Sequence, residues 1–235
     1  VTLLELAHVA KRHRHGTRQV VDVLRDVSLE LDRGELVVVW GLRRSGRSTL
    51  LRIAAGIEAP DTGAVRLGGR DLRGAGTIAS GIGYCRPELI AEGPGPVLDG
   101  LMRAQLALGV RRAHARARAW DALERVGARH CAEHRAHELD RAEAVRVCIA
   151  RGLVQRPAVL LIDDPTTGVE ITRRDGILEL LRSLPGDGTA ILACVDNGTG
   201  LVGADRALSL SHGELRGLLS PEYAPVVELP VRASG

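Results

Sequence analysis

Gly41-Leu42-Arg43-Arg44-Ser45-Gly46-Arg47-Ser48-Thr49 is the stretch on which the reading of this chain turns. It follows Glu35-Leu-Val-Val-Val-Trp40, a nearly continuous apolar run of the kind that forms a strand buried on both faces. A helix is expected after it, from about Ser48 to Gly56. Strand, glycine-containing loop and helix start form the context that the pattern GxxxxGK[ST] requires. In such a loop the backbone N–H groups turn inward around phosphate oxygens, and the helix N-terminus adds its partial positive charge. Ser48 would ligate Mg²⁺. Arg47 stands at the lysine position: it keeps the charge, but its planar fork is bulkier than an ammonium.

Composition sets the outer limits. A chain of 235 residues with 45% hydrophobic residues suits one α/β domain with an ordinary core. A formal net charge of +3 gives no nucleic-acid signal, so no nucleic-acid partner is expected. Cys85, Cys131, Cys148 and Cys194 form no CxxC pair and show no metal-ligand spacing, so buried thiols in a reducing compartment are expected. No apolar run approaches the roughly 20 residues of a membrane span, and no signal peptide is visible. Any membrane crossing would fall to other chains.

Working outward from the loop, strands are expected over Leu3–Val9 and over Val21–Leu31, where the apolar residues alternate. Pro60-Asp-Thr-Gly63 predicts a turn and Val65–Leu67 a short strand. Val97–Val126 is rich in Ala, Arg and Leu at helical spacing and predicts two or three helices. Another helix is expected from about Arg141 to Gln155, stopped by Pro157. Ala158–Ile162 is a second buried strand, ending at Asp163-Asp164-Pro165. A helix over Arg173–Leu184 and strands over Thr189–Val195 and Ala207–Leu210 complete the order. The expected fold class is α/β: a P-loop NTPase-type, mostly parallel sheet covered by helices, with an antiparallel N-terminal part. The expected organisation is one domain over 1–235, with a helical subdomain at about 88–156 and an irregular tail at about 217–235.

Several segments carry a resemblance to the ABC ATPase family. They are Val23–Glu35, Ser48–Gly63, and the run from Arg151 through Asp163-Asp164-Pro165-Thr-Thr-Gly168. His134-Arg-Ala-His-Glu-Leu139 resembles the approach to the signature motif in the lipoprotein-releasing, macrolide-exporting and cell-division ATPases. The resemblance implies two such domains sandwiching two ATP molecules, each held between one domain's phosphate loop and the other's signature. Carried over by position, His13 takes the place of the aromatic residue that stacks on adenine. Gly41, Gly46, Ser48 and Thr49 match the phosphate loop, Ser45 lies within it, and Arg44 sits where a glycine is usual. Asp163 would help hold Mg²⁺.

Other positions depart from the family. The Mg²⁺-reaching glutamine falls at Pro87, or at Glu88 with a one-residue slip. The signature Leu-Ser-Gly-Gly is replaced by Leu139-Asp140-Arg141-Ala142, followed by Glu143. Asp140 would bring like charge toward a phosphate, a repulsion of roughly 1 to 4 kcal/mol at about 4 Å. Asp164 occupies the catalytic glutamate position, one methylene short of the reach a general base needs. Glu170 replaces the D-loop aspartate. Val195, or Asp196 with a slip, replaces the switch histidine.

What the resemblance implies is a nucleotide-binding transporter subunit that binds ATP and Mg²⁺ but turns over weakly or not at all. It would pair with a second, active ABC ATPase as a heterodimer and dock on integral membrane permease subunits, as a peripheral protein of the cytoplasmic face. Two alternatives stay open: a working ATPase whose substitutions compensate, with Arg141 entering the partner's site, and a soluble regulator or scaffold on the same fold.

Overall fold

The computed structural model describes residues 2–15, 19–72, 81–87, 95–196, 198 and 203–218. The strands are β1 (Thr2–His15), β2 (Gln19–Asp32), β3 (Leu36–Trp40), β4 (Thr62–Leu67), β5 (Arg70–Asp71), β6 (Ile82–Cys85), β7 (Val159–Asp163), β8 (Ala190–Val195), β9 (Arg206–Ser211) and β10 (Glu214–Gly217). The α-helices are α1 (Arg47–Ala54), α2 (Val97–Ala107), α3 (Arg112–Arg125), α4 (Arg141–Leu153) and α5 (Ile171–Ser183).

These build two sheets. One is antiparallel, in the order β2-β1-β4-β5. The other runs β10-β9-β3-β8-β7-β6 and is parallel except for the β9–β10 hairpin at its edge. The fold is the α/β class expected from the sequence. Strand β3 lies inside the larger sheet, between β9 and β8, so the loop leaving its C-terminal end opens at the sheet's carboxyl edge, where ligands of open α/β sheets bind.

Alternation within the apolar strands explains the layering. Successive side chains of a strand point to opposite faces. Val37 and Val39 of β3, Val159 and Leu161 of β7, and Leu192 and Cys194 of β8 share one core with α1 and the antiparallel sheet. Val38, Leu160, Ile162, Ala193 and Val195 face the other way, into a core shared with α2, α3, α4 and α5. Both faces are covered, which is why these strands show no polar alternation.

The element bounds differ from the sequence reading in ways with physical causes. The β1–β2 hairpin extends well past Val9, to His15 paired with Gln19. Its outer half carries Lys11, Arg12, His13 and Arg14, whose polar side chains hide the strand period. Register shifts interrupt the pairing around Leu6–Val9, where His8 and Asp26 both take positive φ and pair through Nδ1 and Oδ1 at 2.7 Å. Strand β4 begins inside the expected turn: Gly63 has φ 89°, and a Cβ there would lie 2.3 Å from the His8 carbonyl oxygen. Val97–Val126 forms two helices, parted at Gly109 (φ 79°). Helix α5 starts at Ile171, two residues before its expected start. β5, β6 and β10 are too short for a periodic signal. Of the tail expected at about 217–235, residues 219–235 lie outside the described residues.

Leu50 on α1 has no exposed surface and joins the core beneath the antiparallel sheet, whereas Leu108 is 67% exposed. Urea unfolding should show Leu50→Ala losing about 2–5 kcal/mol. Leu108→Ala should stay within about 0.5 kcal/mol of the parent.

Candidate nucleotide site

Strand β3 hands the chain to the loop at Gly41, whose N–H donates to the Val195 carbonyl oxygen at 3.2 Å. Nothing larger fits there: a Cβ on Gly41 would lie 2.5 Å from Ser45 Oγ and 2.6 Å from the Leu210 carbonyl oxygen. The Ser45 N–H turns back to the Leu42 carbonyl at 3.1 Å, and Leu50 N to Gly46 O at 2.8 Å starts α1. Gly46 takes φ 105°, against the Val23 backbone. Arg44 takes φ 67°, a left-handed conformation that costs a residue with a Cβ on the order of 1–3 kcal/mol. The resemblance drawn from the sequence implies a glycine there, the residue that takes a left-handed φ at no steric cost.

The loop borders a cleft of about 660 Å³ lined by His13, Val21, Val23 and residues 44–49. His13 therefore shares a cleft with the phosphate loop although the two are far apart in sequence. The His13 ring is fixed by a 2.8 Å contact from Nε2 to Glu58 Oε1. Glu58 also accepts from Arg52 Nε at 3.0 Å, and Arg52 Nη2 donates to Thr49 Oγ1 at 3.1 Å. Burial alone would raise the Glu58 pKa; the hydrogen bonds from His13 and Arg52 outweigh it and hold the carboxyl below its usual value. This Glu58–Arg52–Thr49 bracing has no local sequence signal.

The decisive contact is an ion pair from Arg47 Nη1 to Asp164 Oδ1. Arg47 is only 6% exposed and Asp164 24%. Asp164 leaves the end of β7 with φ 48°, and its N–H donates to the Cys194 carbonyl at 3.0 Å. Its pKa is raised: burial is the largest cause, Arg47 opposes it, and Asp163 and Asp196 add to it. The cation of the phosphate loop is thus engaged by the carboxylate at the catalytic-glutamate position.

Next to it Asp163 is buried, and its Oδ1 has no hydrogen-bond partner among the described residues. Ser45 Oγ and the Tyr84 hydroxyl are likewise buried without partners among the described residues. Burial first, and the Asp163 charge second, push the Tyr84 pKa up to about 12. A buried carboxylate oxygen without a donor is costly. A hard divalent cation would remove that cost with an oxygen donor, so Asp163 fits Mg²⁺, and Ser48 would be the second holder implied by the sequence.

A family model described as ABC transporter matches residues 24–167. The chain belongs to the ABC transporter family. It is similar to the lipoprotein-releasing system ATP-binding protein of Jannaschia sp. (strain CCS1), at 34% identity over 221 residues, covering 90% of this chain and 96% of that protein. The corresponding protein of Myxococcus xanthus (strain DK1622) is 34% identical over 223 residues, covering 92% and 99%. Among solved structures, a dimeric bacterial ABC transporter cassette superposes with a TM-score of 0.80 at 23% identity, covering 93% of this chain and 100% of that one. The chain is a nucleotide-binding subunit of the ABC transporter type.

In this cassette the remaining motif positions are spread over the starts of α4 and α5, the segment after β6 and the end of β8. Asp140 caps α4: its Oδ1 accepts from Glu143 N at 3.0 Å, and Glu143 Oε2 accepts from Asp140 N at 2.9 Å. Asp140 Oδ2 also takes Arg173 Nη1 at 2.5 Å. Arg141 donates from Nε to the Thr167 carbonyl at 2.9 Å and lies against Gly168, so it is held within its own chain. Val195 is buried in the core on the side away from α1, whereas Asp196 influences Asp164 electrostatically. The Val195 side chain thus packs into the helical core, while its backbone carbonyl accepts from the Gly41 N–H at the start of the loop. Pro87 is buried, Glu88 lies outside the described residues, and Glu170 is exposed at the start of α5.

The Asp140 carboxyl is held below its usual pKa, first by the Glu143 backbone bond, against a small burial penalty, and then by Arg173. A lowered carboxyl contributes stability that is present above its unfolded pKa and lost as pH falls through the folded value. Asp140→Ala should cost about 1 kcal/mol at neutral pH. Urea titrations of both proteins should show that difference shrinking below the ordinary aspartate range, not at higher pH.

Proposed function

We propose that this cassette is a nucleotide-holding subunit with little or no turnover of its own. The Arg47–Asp164 ion pair carries this reading. In the phosphate-loop design the cation meets phosphate, and a carboxylate at the end of the Walker B strand orients the attacking water. Here the two groups engage each other. A phosphate chain entering the cleft competes with Asp164 for Arg47. The carboxylate it displaces is shorter than the family's glutamate and leaves a strained φ of 48°. ATP is the nucleotide implied, with His13 beside the base, residues 41 and 44–49 around the phosphates, and Asp163 with Ser48 on Mg²⁺.

The same residues favour a heterodimer. In a pair of identical chains, both composite sites would present the Asp140-Arg141-Ala142 face to phosphate. Asp140 brings negative charge, and Arg141 is tied to the Thr167 carbonyl instead of reaching outward. A second ATPase with an intact signature would supply neutral donors to this chain's loop. Integral membrane permease subunits would complete the transporter, with this chain peripheral at the cytoplasmic face. Among the described residues no helix is long and apolar enough to cross a membrane, so this reading assigns the crossing to the permease. Lipoprotein release, the role named for the relatives, is the first transport reaction to test.

Phosphate release by the purified chain with saturating Mg·ATP is the direct test. A rate at least about 1,000-fold below the roughly 10 per second typical of enzymes is expected. Asp164→Glu alone should not restore it, because the signature and switch positions are changed too. A turnover near one per second that Asp164→Asn abolishes would instead make the chain a working ATPase. Co-expression with a second ATPase and a permease should give a mixed complex; a stable homodimer as the sole assembly would overturn the pairing.

A further inference from the structure

We infer that His130, Cys131 and Glu143 form a binding site for a divalent transition metal, zinc by their donor set, at the start of α4. One ligand atom from each residue lies within 4.8 Å of the other two. His130 Nε2 and Glu143 Oε1 are already 3.0 Å apart. Imidazole, thiolate and carboxylate together favour zinc over the oxygen-seeking cations. Tetrahedral zinc, with bonds of about 2.0–2.3 Å, places its ligand atoms roughly 3.3–3.7 Å apart. The separations to Cys131, at most 4.8 Å, would close by no more than about 1.5 Å, and the 3.0 Å His130–Glu143 pair would open slightly.

The surroundings hold the donors in place. Cys131 is fully buried, reduced, and its thiol has no hydrogen-bond partner among the described residues. It sits in a 3₁₀ turn, Arg129–Glu133, braced by Arg129 over the Trp120 ring at 5.1 Å and by Arg129 Nη1 to Glu124 Oε2 at 3.0 Å. Glu143 has Oε2 fixed by the Asp140 N–H, while Oε1 faces His130 Nε2, a contact the metal would replace. An outer hydrogen bond of this kind orients a ligating carboxylate. His130 is 58% exposed, so the site opens to water for entry and for a fourth ligand.

The charges also balance. Burial first, then the Glu143 and Asp140 carboxylates, raise the Cys131 pKa to about 11, against Arg146. A dication reverses that field. On binding, the thiol proton leaves to solvent, a metal–sulfur bond forms, and one thiolate and one carboxylate neutralise the two positive charges. Neutral His130 supplies its ring nitrogen. The sequence hides the group because His130 and Cys131 are adjacent and Glu143 comes one helix start later. An occupied site would pin the turn before α4 to the first turn of that helix, next to Asp140 and Arg141.

The test is cobalt(II) titration of the full purified chain, with cobalt as a spectroscopic stand-in for zinc. One equivalent should produce a thiolate-to-cobalt charge-transfer band and release about one proton, and zinc should bleach the band. Cys131→Ser should abolish the band although Cys85, Cys148 and Cys194 remain. His130→Ala should weaken binding at least about 10-fold. Because His130 is exposed, that variant keeps the test decisive if Cys131→Ser fails to fold. Absence of a thiolate band in the parent chain, or binding undiminished by His130→Ala, would overturn the site.

Discussion

A single guanidinium–carboxylate contact, Arg47 to Asp164, sets the state of the site described above. It joins the loop after β3 to the end of β7, two strands separated in the sheet by β8. By the resemblance drawn from the sequence, each partner stands where the family pattern has another residue, and the two fit each other as an ion pair. A guanidinium reaches farther and forks, and a shorter carboxylate sits closer to its own backbone. Breaking such a pair without a replacement leaves a mostly buried charge unpaired, which is strongly destabilising. The Arg47–Asp164 pair is therefore satisfied within the chain, and in the proposed reading an anion of comparable strength competes for Arg47. Polyphosphate is such an anion, and Asp163 with its unpartnered oxygen leaves a place for the accompanying cation.

The scaffold that brings these groups together is the strand alternation. Cys194 and Val195 are neighbours in sequence, yet they serve opposite cores. The face carrying Cys194 looks toward α1 and the phosphate loop, and Cys194 lies 3.9 Å from the Arg47 carbonyl through its sulfur. The α1 side of the sheet end is where charge is concentrated, with Arg47, Asp163 and Asp164. The other face belongs to the helices, whose own capping at Asp140 sets up the signature-equivalent edge.

The sequence announced what is local or periodic. The glycine spacing around Gly41 and Gly46, the apolar runs of β3, β7 and β8, and the helical stripe of α4 all gave the right element and place. The position of His13 beside the loop followed from family resemblance, since nothing near His13 points to a cleft. Contacts between distant positions stayed hidden. Arg47 and Asp164 are 117 residues apart, and neither residue type announces the other. Arg141 was legible as a misfit at a glycine position, but its hydrogen bond to the Thr167 carbonyl depends on how α4 packs beside the loop after β7. Strand β1 runs past its expected end at Val9 because its outer half, from Lys11 to His15, is polar on both faces, and the period-two signal needs one apolar face to be seen.

The most direct measurement is calorimetric titration of Mg·ATP into the parent chain and into Asp164→Asn, with Arg47→Ala as the control for the loop. If Asp164 competes with phosphate for Arg47, removing its charge should tighten binding at least several-fold, and Arg47→Ala should abolish it. Equal or weaker binding by a folded Asp164→Asn would mean that the carboxylate assists nucleotide binding, contradicting the self-satisfied site.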